Sequence, residues 1–146
     1  MMKYPLLVLA TLTTAALLTR ADSEPSVTYI NHEKVAASLT QGATLHRASD
    51  LIVMGAHRSG GGQVELHDKE TDVLYVVDGE ATFVSGGKMI GGKVTSPGQH
   101  RGTGIEGGEV HHLVKGDVMV VPAGIPHWFK EVPKSVSYFV VKVLKP

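Results

Sequence analysis

Two stretches of this sequence can furnish a chemical centre, and they stand either side of a glycine-rich segment. The first is Glu65-Leu66-His67-Asp68-Lys69-Glu70-Thr71-Asp72. Side chains alternate across a strand, so Glu65 and His67 point to one face while Val64 and Leu66 point to the other. Asp72 stands at the start of the next strand and can return to the same interior. The second stretch runs from Gly116 to His127. Val118–Val121 reads as a short strand, Pro122 and Gly124 turn the chain, and Pro126 fixes the approach to His127. An imidazole delivered by a rigid turn, with Trp128 and Phe129 behind it, suits a site where the ring must always point the same way. Read alone, the stretch also fits a solvent-facing loop histidine.

Short strands must position these groups. Asn31 is a good N-cap, residues 32–41 carry Val35, Ala36 and Leu39 at helical spacing, and Gly42 sits where a C-cap glycine belongs. This is the one convincing helix expected after the leader. Strands are expected at 43–47, 51–58, 63–67, 73–77, 80–85, 109–114, 118–121, 127–132 and 136–143, with Val27 to Ile30 as a short edge strand. Asp78-Gly79 between two such runs is a hairpin signal. Gly86 to Gly108 holds nine of the 17 glycines and few large apolar residues, and reads as one long insertion with room for a small hairpin at its tip. Lying between the two chemical stretches, it is expected to act as a mobile cover. His57 and His112 fit structural roles better than cavity-lining ones, and His32, His46 and His100 read as surface residues.

The 146 residues suit a single domain behind a leader. Lys3, the apolar run from Leu6 to Leu18 and the small Ala21 outline a secretory signal over 1–21, so a domain over 22–146 is expected in the periplasm or secreted. The 14 basic residues less Lys3 and Arg20 leave 12 against 14 acidic, which offers nothing to nucleic acid or to an anionic membrane. Without cysteine there is no disulfide, thiolate nucleophile or thiolate metal site, so stability rests on a packed core. No nucleophile elbow or phosphate-cradling glycine loop occurs.

Gly116, Pro122, Gly124 and His127 stand at the spacing of the second motif of the cupin superfamily, which this chain resembles over about residues 60–130. The first cupin motif is similar but altered. Counting back from Gly79, Asp72 falls where the family has glutamate, and the two histidine positions become Glu65 and His67; Glu131 stands where an asparagine often follows the second motif. The resemblance implies an all-β double-stranded β-helix, or jelly-roll barrel, with one short N-terminal helix. It also implies a divalent metal between the motifs, with His67, Asp72, His127 and Glu65 as candidate ligands. Imidazole and carboxylate donors suit Fe(II), Mn(II), Zn(II) or Ni(II). Asp68 is a competing carboxylate beside His67.

The leading expectation is therefore an exported cupin that binds one metal and a small organic substrate. Its chemistry would be dioxygen-dependent oxidation, or isomerase or lyase chemistry through an enolate. Glu65 is either a fourth ligand or the base that moves the proton. The alternative is a metal-free cupin that binds a sugar or other polar ligand without catalysis. Family habit and an unpaired N-terminal edge further imply a homodimer. Substrate, metal identity and reaction type stay open at this level.

Overall fold

A computed structural model describes residues 26–146; the leader over 1–21 lies outside the described residues. Helix α1 spans His32–Gln41, as its capping residues predict. Asn31 accepts from the Lys34 amide at 3.1 Å. Gly42, at φ +72°, donates its amide to the Ser38 carbonyl at 3.0 Å. Twelve strands follow: β1 (Ala43–Arg47), β2 (Leu51–Arg58), β3 (Val64–His67), β4 (Glu70–Ser85), β5 (Lys88–Ile90), β6 (Lys93–Ser96), β7 (Gln99–Gly102), β8 (Gly104–Glu106), β9 (Glu109–Val114), β10 (Val118–Val121), β11 (His127–Glu131) and β12 (Val136–Leu144). Val27 to Ile30 joins none of them, so the expected edge strand is not there, and Val27 and Tyr29 stand exposed.

Ten strands form one curled sheet in the order β1-β2-β12-β4-β11-β3-β7-β6, with β9 and β10 also pairing with β4. The sheet turns on β4. Its first half pairs with β12 and β10, its second half with β9 and β11. The expected hairpin at Asp78-Gly79 is therefore one continuous strand. A tight hairpin turn of that kind needs both central residues in the left-handed region; here only Gly79 is, at φ +80°, and among the described residues none other than glycine has positive φ. Val136 and Ser137 of β12 pair with Gly79 and Asp78, and the register then slips by one at Val77, so a bulge beside the pair bends β4 where it passes from one layer into the other.

The curl buries one apolar cluster between the layers: Leu74, Val76, Ala81, Phe83, Leu113, Val121, Phe129, Val136, Tyr138 and Val140. The Phe129 ring meets Phe83 edge-on at 4.9 Å and stacks on Tyr138 at 4.8 Å, favourable aromatic geometries that tie β4, β11 and β12 together. Helix α1 closes the outside of β2, where Gly55 leaves room for Ser38; a Cβ on Gly55 would lie 2.0 Å from the Ser38 hydroxyl oxygen.

Gly86 to Gly108 is not the single long insertion its glycines suggest. It folds back as β5 to β8, with β5 pairing β8, β6 pairing β7, and β7 laid along β3 from Val64↔Gly102 to His67↔Gln99. Strand pairing is satisfied by backbone groups and needs no large apolar side chains. Five glycines with positive φ (Gly86, Gly87, Gly91, Gly98 and Gly107) make its turns. Through β7 the segment forms part of the cavity wall.

Candidate functional site

The register of three strand pairs places the polar residues. Glu65 of β3 lies directly opposite His127 of β11, His67 of β3 opposite Gln99 of β7, and Asp72 of β4 opposite Lys142 of β12. Directly opposed residues project from the same face of a sheet. The first two pairs come from one layer and the third from the other, so the groups converge where the layers face each other. All four candidate residues come together. His67, Asp72 and His127 are buried, and Glu65 is half-buried.

Both imidazoles are fixed through Nδ1. His67 Nδ1 donates to Gln99 Oε1 at 2.6 Å, and the Gln99 amide in turn donates to Glu70 Oε1 at 2.8 Å. His127 Nδ1 donates to the Ile125 carbonyl at 3.0 Å, a contact built by the turn through Gly124 and Pro126. Each ring therefore presents the lone pair of Nε2 inward, the arrangement by which metal-ligating histidines are usually oriented. Burial pushes the His127 pKa down, against the Ile125 carbonyl and Asp72, and so favours the neutral ring.

The donor atoms are spaced for an ion. His67 Nε2 is 3.6 Å from Glu65 Oε2 and 3.4 Å from Asp72 Oδ2, and His127 Nε2 is 3.7 Å from the same Asp72 oxygen. Donors bound at 2.0–2.1 Å around a tetrahedral ion lie about 3.4 Å apart. The donors fall into two groups sharing His67: Glu65, His67 and His127, and His67, Glu70 and Asp72. The residues present thus fit a divalent metal.

A cation of the protein's own sits against the second group. The ammonium of Lys142 donates to Asp72 Oδ1 and Oδ2 at 2.8 and 2.9 Å, to His67 Nε2 at 3.1 Å, and lies 3.0 Å from Glu70 Oε2. Burial alone would raise the Asp72 pKa; the contacts to His67 and Lys142 more than reverse this and hold it below the ordinary carboxylate value. Glu65 has cations of its own, Arg58 at 3.2 Å and Arg101 at 3.6 Å. Arg58 also donates from Nε to the Tyr138 hydroxyl at 2.9 Å and lies over the Phe129 ring at 4.8 Å.

These groups line a cavity of about 610 Å³ whose remaining wall includes the apolar Met54, Leu74, Phe129 and Val140. The volume suits a small organic molecule. Other sequence candidates fall outside the centre. Asp68 pairs with His100 on the outer side at 2.8 Å, and His112 pairs with Glu80 at the surface. His57 lines the cavity rim and bonds to Ser137 at 2.9 Å.

Six site residues escape motif reading: Arg58, Glu70, Gln99, Arg101, Tyr138 and Lys142. Lys142 and Arg58 do carry a signal, since each continues the inward alternation of its strand, after Tyr138 and Val140 and after Met54 and Ala56. A charge in that phase needs a buried partner. Gln99 and Arg101 carry none, because only pairing with β3 brings them inside.

A protein-family model described as Cupin matches residues 25–146. No curated protein matches the chain in sequence. Among solved structures, a conserved protein of unknown function from Streptococcus pyogenes superposes with a TM-score of 0.55 at 18% identity, over 86% of this chain and 99% of that one. A protein from Neisseria meningitidis gives 0.52 at 15% identity, over 80% and 99%. A DMSP lyase from Ruegeria pomeroyi gives 0.51 at 16% identity, over 70% of this chain but only 45% of that one. At such identities the likeness is one of fold, and it agrees with the curled sheet described above. With the family model spanning all but the first residues, and with the glycine–proline–glycine–histidine turn seated at the cavity, this chain belongs to the cupin family.

Proposed function

We propose that this protein is an exported, metal-dependent cupin enzyme acting on a small organic molecule in the cavity. The observation that carries this reading is the pair of oriented imidazoles: His67 and His127 both spend Nδ1 on a fixed acceptor and aim Nε2 at the same point as two carboxylates. His67 and His127 would hold the metal, with Glu65 and Asp72 as the carboxylates within reach of it. Bound there, a divalent Fe, Mn, Zn or Ni ion would supply Lewis-acid or redox chemistry of oxidase, isomerase or lyase type.

The chain's own residues do the rest. Met54, Leu74, Phe129 and Val140 exclude water from one side of the cavity and pack the carbon skeleton of the substrate. Arg58, Arg101 and Lys142 balance Glu65, Glu70 and Asp72. An added dication leaves that balance positive, which favours an organic anion as substrate, received by the guanidiniums of Arg58 and Arg101. Tyr138 anchors Arg58 for this task. Glu65, once held by a metal, is a ligand; otherwise it is the base nearest the cavity. Elemental analysis of the purified mature protein is the test. About one divalent ion per chain is expected, and its absence after refolding with each of the four metals overturns the reading.

A second reading, a metal-free binding cupin, draws support from Lys142, whose ammonium already neutralises Asp72. It predicts ligand binding unaffected by chelator. Export is supported by the apolar run before Ala21, and N-terminal sequencing after expression in an exporting host should find Asp22. Homodimerisation is supported by the outer face of the sheet, where Val53, Val141, Val73 and Val120 align across four strands and Tyr75, Val118 and Val143 stand exposed. This uncharged face suits a second copy of itself. Light scattering should give twice the chain mass, and Val120→Lys should halve it.

A further inference from the structure

We infer that Lys142 is a built-in competitor for the metal, which withdraws Asp72 from coordination and leaves Glu65, His67 and His127 as the metal-binding set. The inference rests on the metal reading of the same centre and decides between its two carboxylates. An ammonium has three N–H donors. Those of Lys142 are met by Asp72, Glu70 and the lone pair of His67 Nε2, at 2.8, 3.0 and 3.1 Å. These acceptors are the whole of the second donor group, so that group already holds a cation. The first group meets Lys142 only through His67 Nε2, the donor it shares with the second, and has its carboxylate and His127 directly opposed on neighbouring strands.

A metal entering the first group needs the His67 lone pair and so displaces one of the three Lys142 contacts. The other two remain. Asp72 and Lys142 face each other across β4 and β12, and a buried carboxylate retains its ion pair when the alternative is an unpaired ammonium beside a dication. Metal affinity is thereby lowered by competition at His67 and by like charge nearby. Removing the ammonium should both free the His67 lone pair and release Asp72 as a fourth donor.

The test is calorimetric titration of the apo-protein with Zn(II) and with Mn(II), in the wild type, Lys142→Met, Lys142→Gln, Asp72→Asn, Glu65→Gln and the Lys142→Met/Asp72→Asn double variant. Circular dichroism checks each fold, and Lys142→Gln keeps a neutral donor should methionine unfold the centre. The expected result is an affinity at least tenfold tighter without the ammonium, with most of the gain lost in the double variant. Glu65→Gln should lose at least tenfold. A wild type that binds metal together with Lys142 variants that bind it no more tightly overturns the inference and leaves the metal reading intact. Metal bound by the Lys142 variants but not by the wild type overturns the metal reading and, with it, the three-donor set inferred for the wild type. A loss in Asp72→Asn as large as that in Glu65→Gln overturns the division of the two carboxylates.

Discussion

The amide of Gln99 links His67 to Glu70 on the side away from Nε2, accepting from His67 Nδ1 at 2.6 Å and donating to Glu70 at 2.8 Å. It thereby sets which nitrogen of His67 faces the cavity. Gln99→Leu should weaken metal affinity by about 10- to 100-fold with the fold retained, measured by calorimetry and circular dichroism, since outer contacts to a ligating histidine have effects of this size. Tyr138 gives a second prediction. Burial pushes its phenol pKa up, with Arg58 opposing only in part. The unfolded chain releases this proton near pH 10, while the folded protein retains it to higher pH. Over that interval the unfolded state binds fewer protons, so stability falls as pH rises. Melting temperatures recorded from pH 8 to pH 11 should decline less steeply in Tyr138→Phe than in the wild type, even though losing the Arg58 contact lowers the starting value.

At the level of single elements, β4 does the most, because one strand supplies both layers. Its bend depends on Gly79, whose φ of +80° disfavours any side chain and whose added Cβ would lie 2.0 Å from the Ser135 carbonyl oxygen. Gly116 also has positive φ, at +96°, but nothing lies within 4 Å of its added Cβ. Gly79→Ala should therefore cost roughly 2–4 kcal/mol, from conformational strain plus the clash, and Gly116→Ala only about 1–2 kcal/mol, from strain alone. Urea denaturation of the two variants checks the difference, and equal losses would place no special demand on the bend. Strand β7 has a different role, since it carries Gln99 and Arg101 into the cavity from a segment with almost no apolar content of its own.

For the molecule as a whole, a metal at this centre would join strands that are far apart in the chain. Glu65, His67 and His127 lie on β3 and β11, while Asp72 and Lys142 lie on β4 and β12. The unfolded chain brings none of these together, so binding energy appears as folding stability. With metal at 100 times its dissociation constant the gain is about 2.7 kcal/mol, or roughly 10 °C in Tm for a domain of this size. Adding a chelator should remove that gain in the wild type and change nothing in His127→Ala, as read by scanning calorimetry. An equal chelator effect in both proteins would remove His127 from the ligand set.

Much of this architecture is local and so was legible in the chain itself. The caps of α1, the phase of β2 and β12, and the turn that delivers His127 depend on neighbouring residues and on glycine or proline at defined backbone positions. The alternation that puts Glu65 and His67 on one face is equally local. Partnerships between distant strands decided everything else. Asp78-Gly79 carries the composition of a hairpin, yet β12 captures both of its residues and keeps β4 continuous. The glycine-rich segment looks like a loop until β3 offers it a pairing edge. Lys142 lies 70 residues from Asp72 and Gln99 lies 32 from His67, so only the register of the closed sheet shows that an ammonium faces the carboxylate and an amide orients the imidazole. Register is a property of two strands at once, set by backbone hydrogen bonds and by which faces are buried, and neither strand's sequence contains it alone.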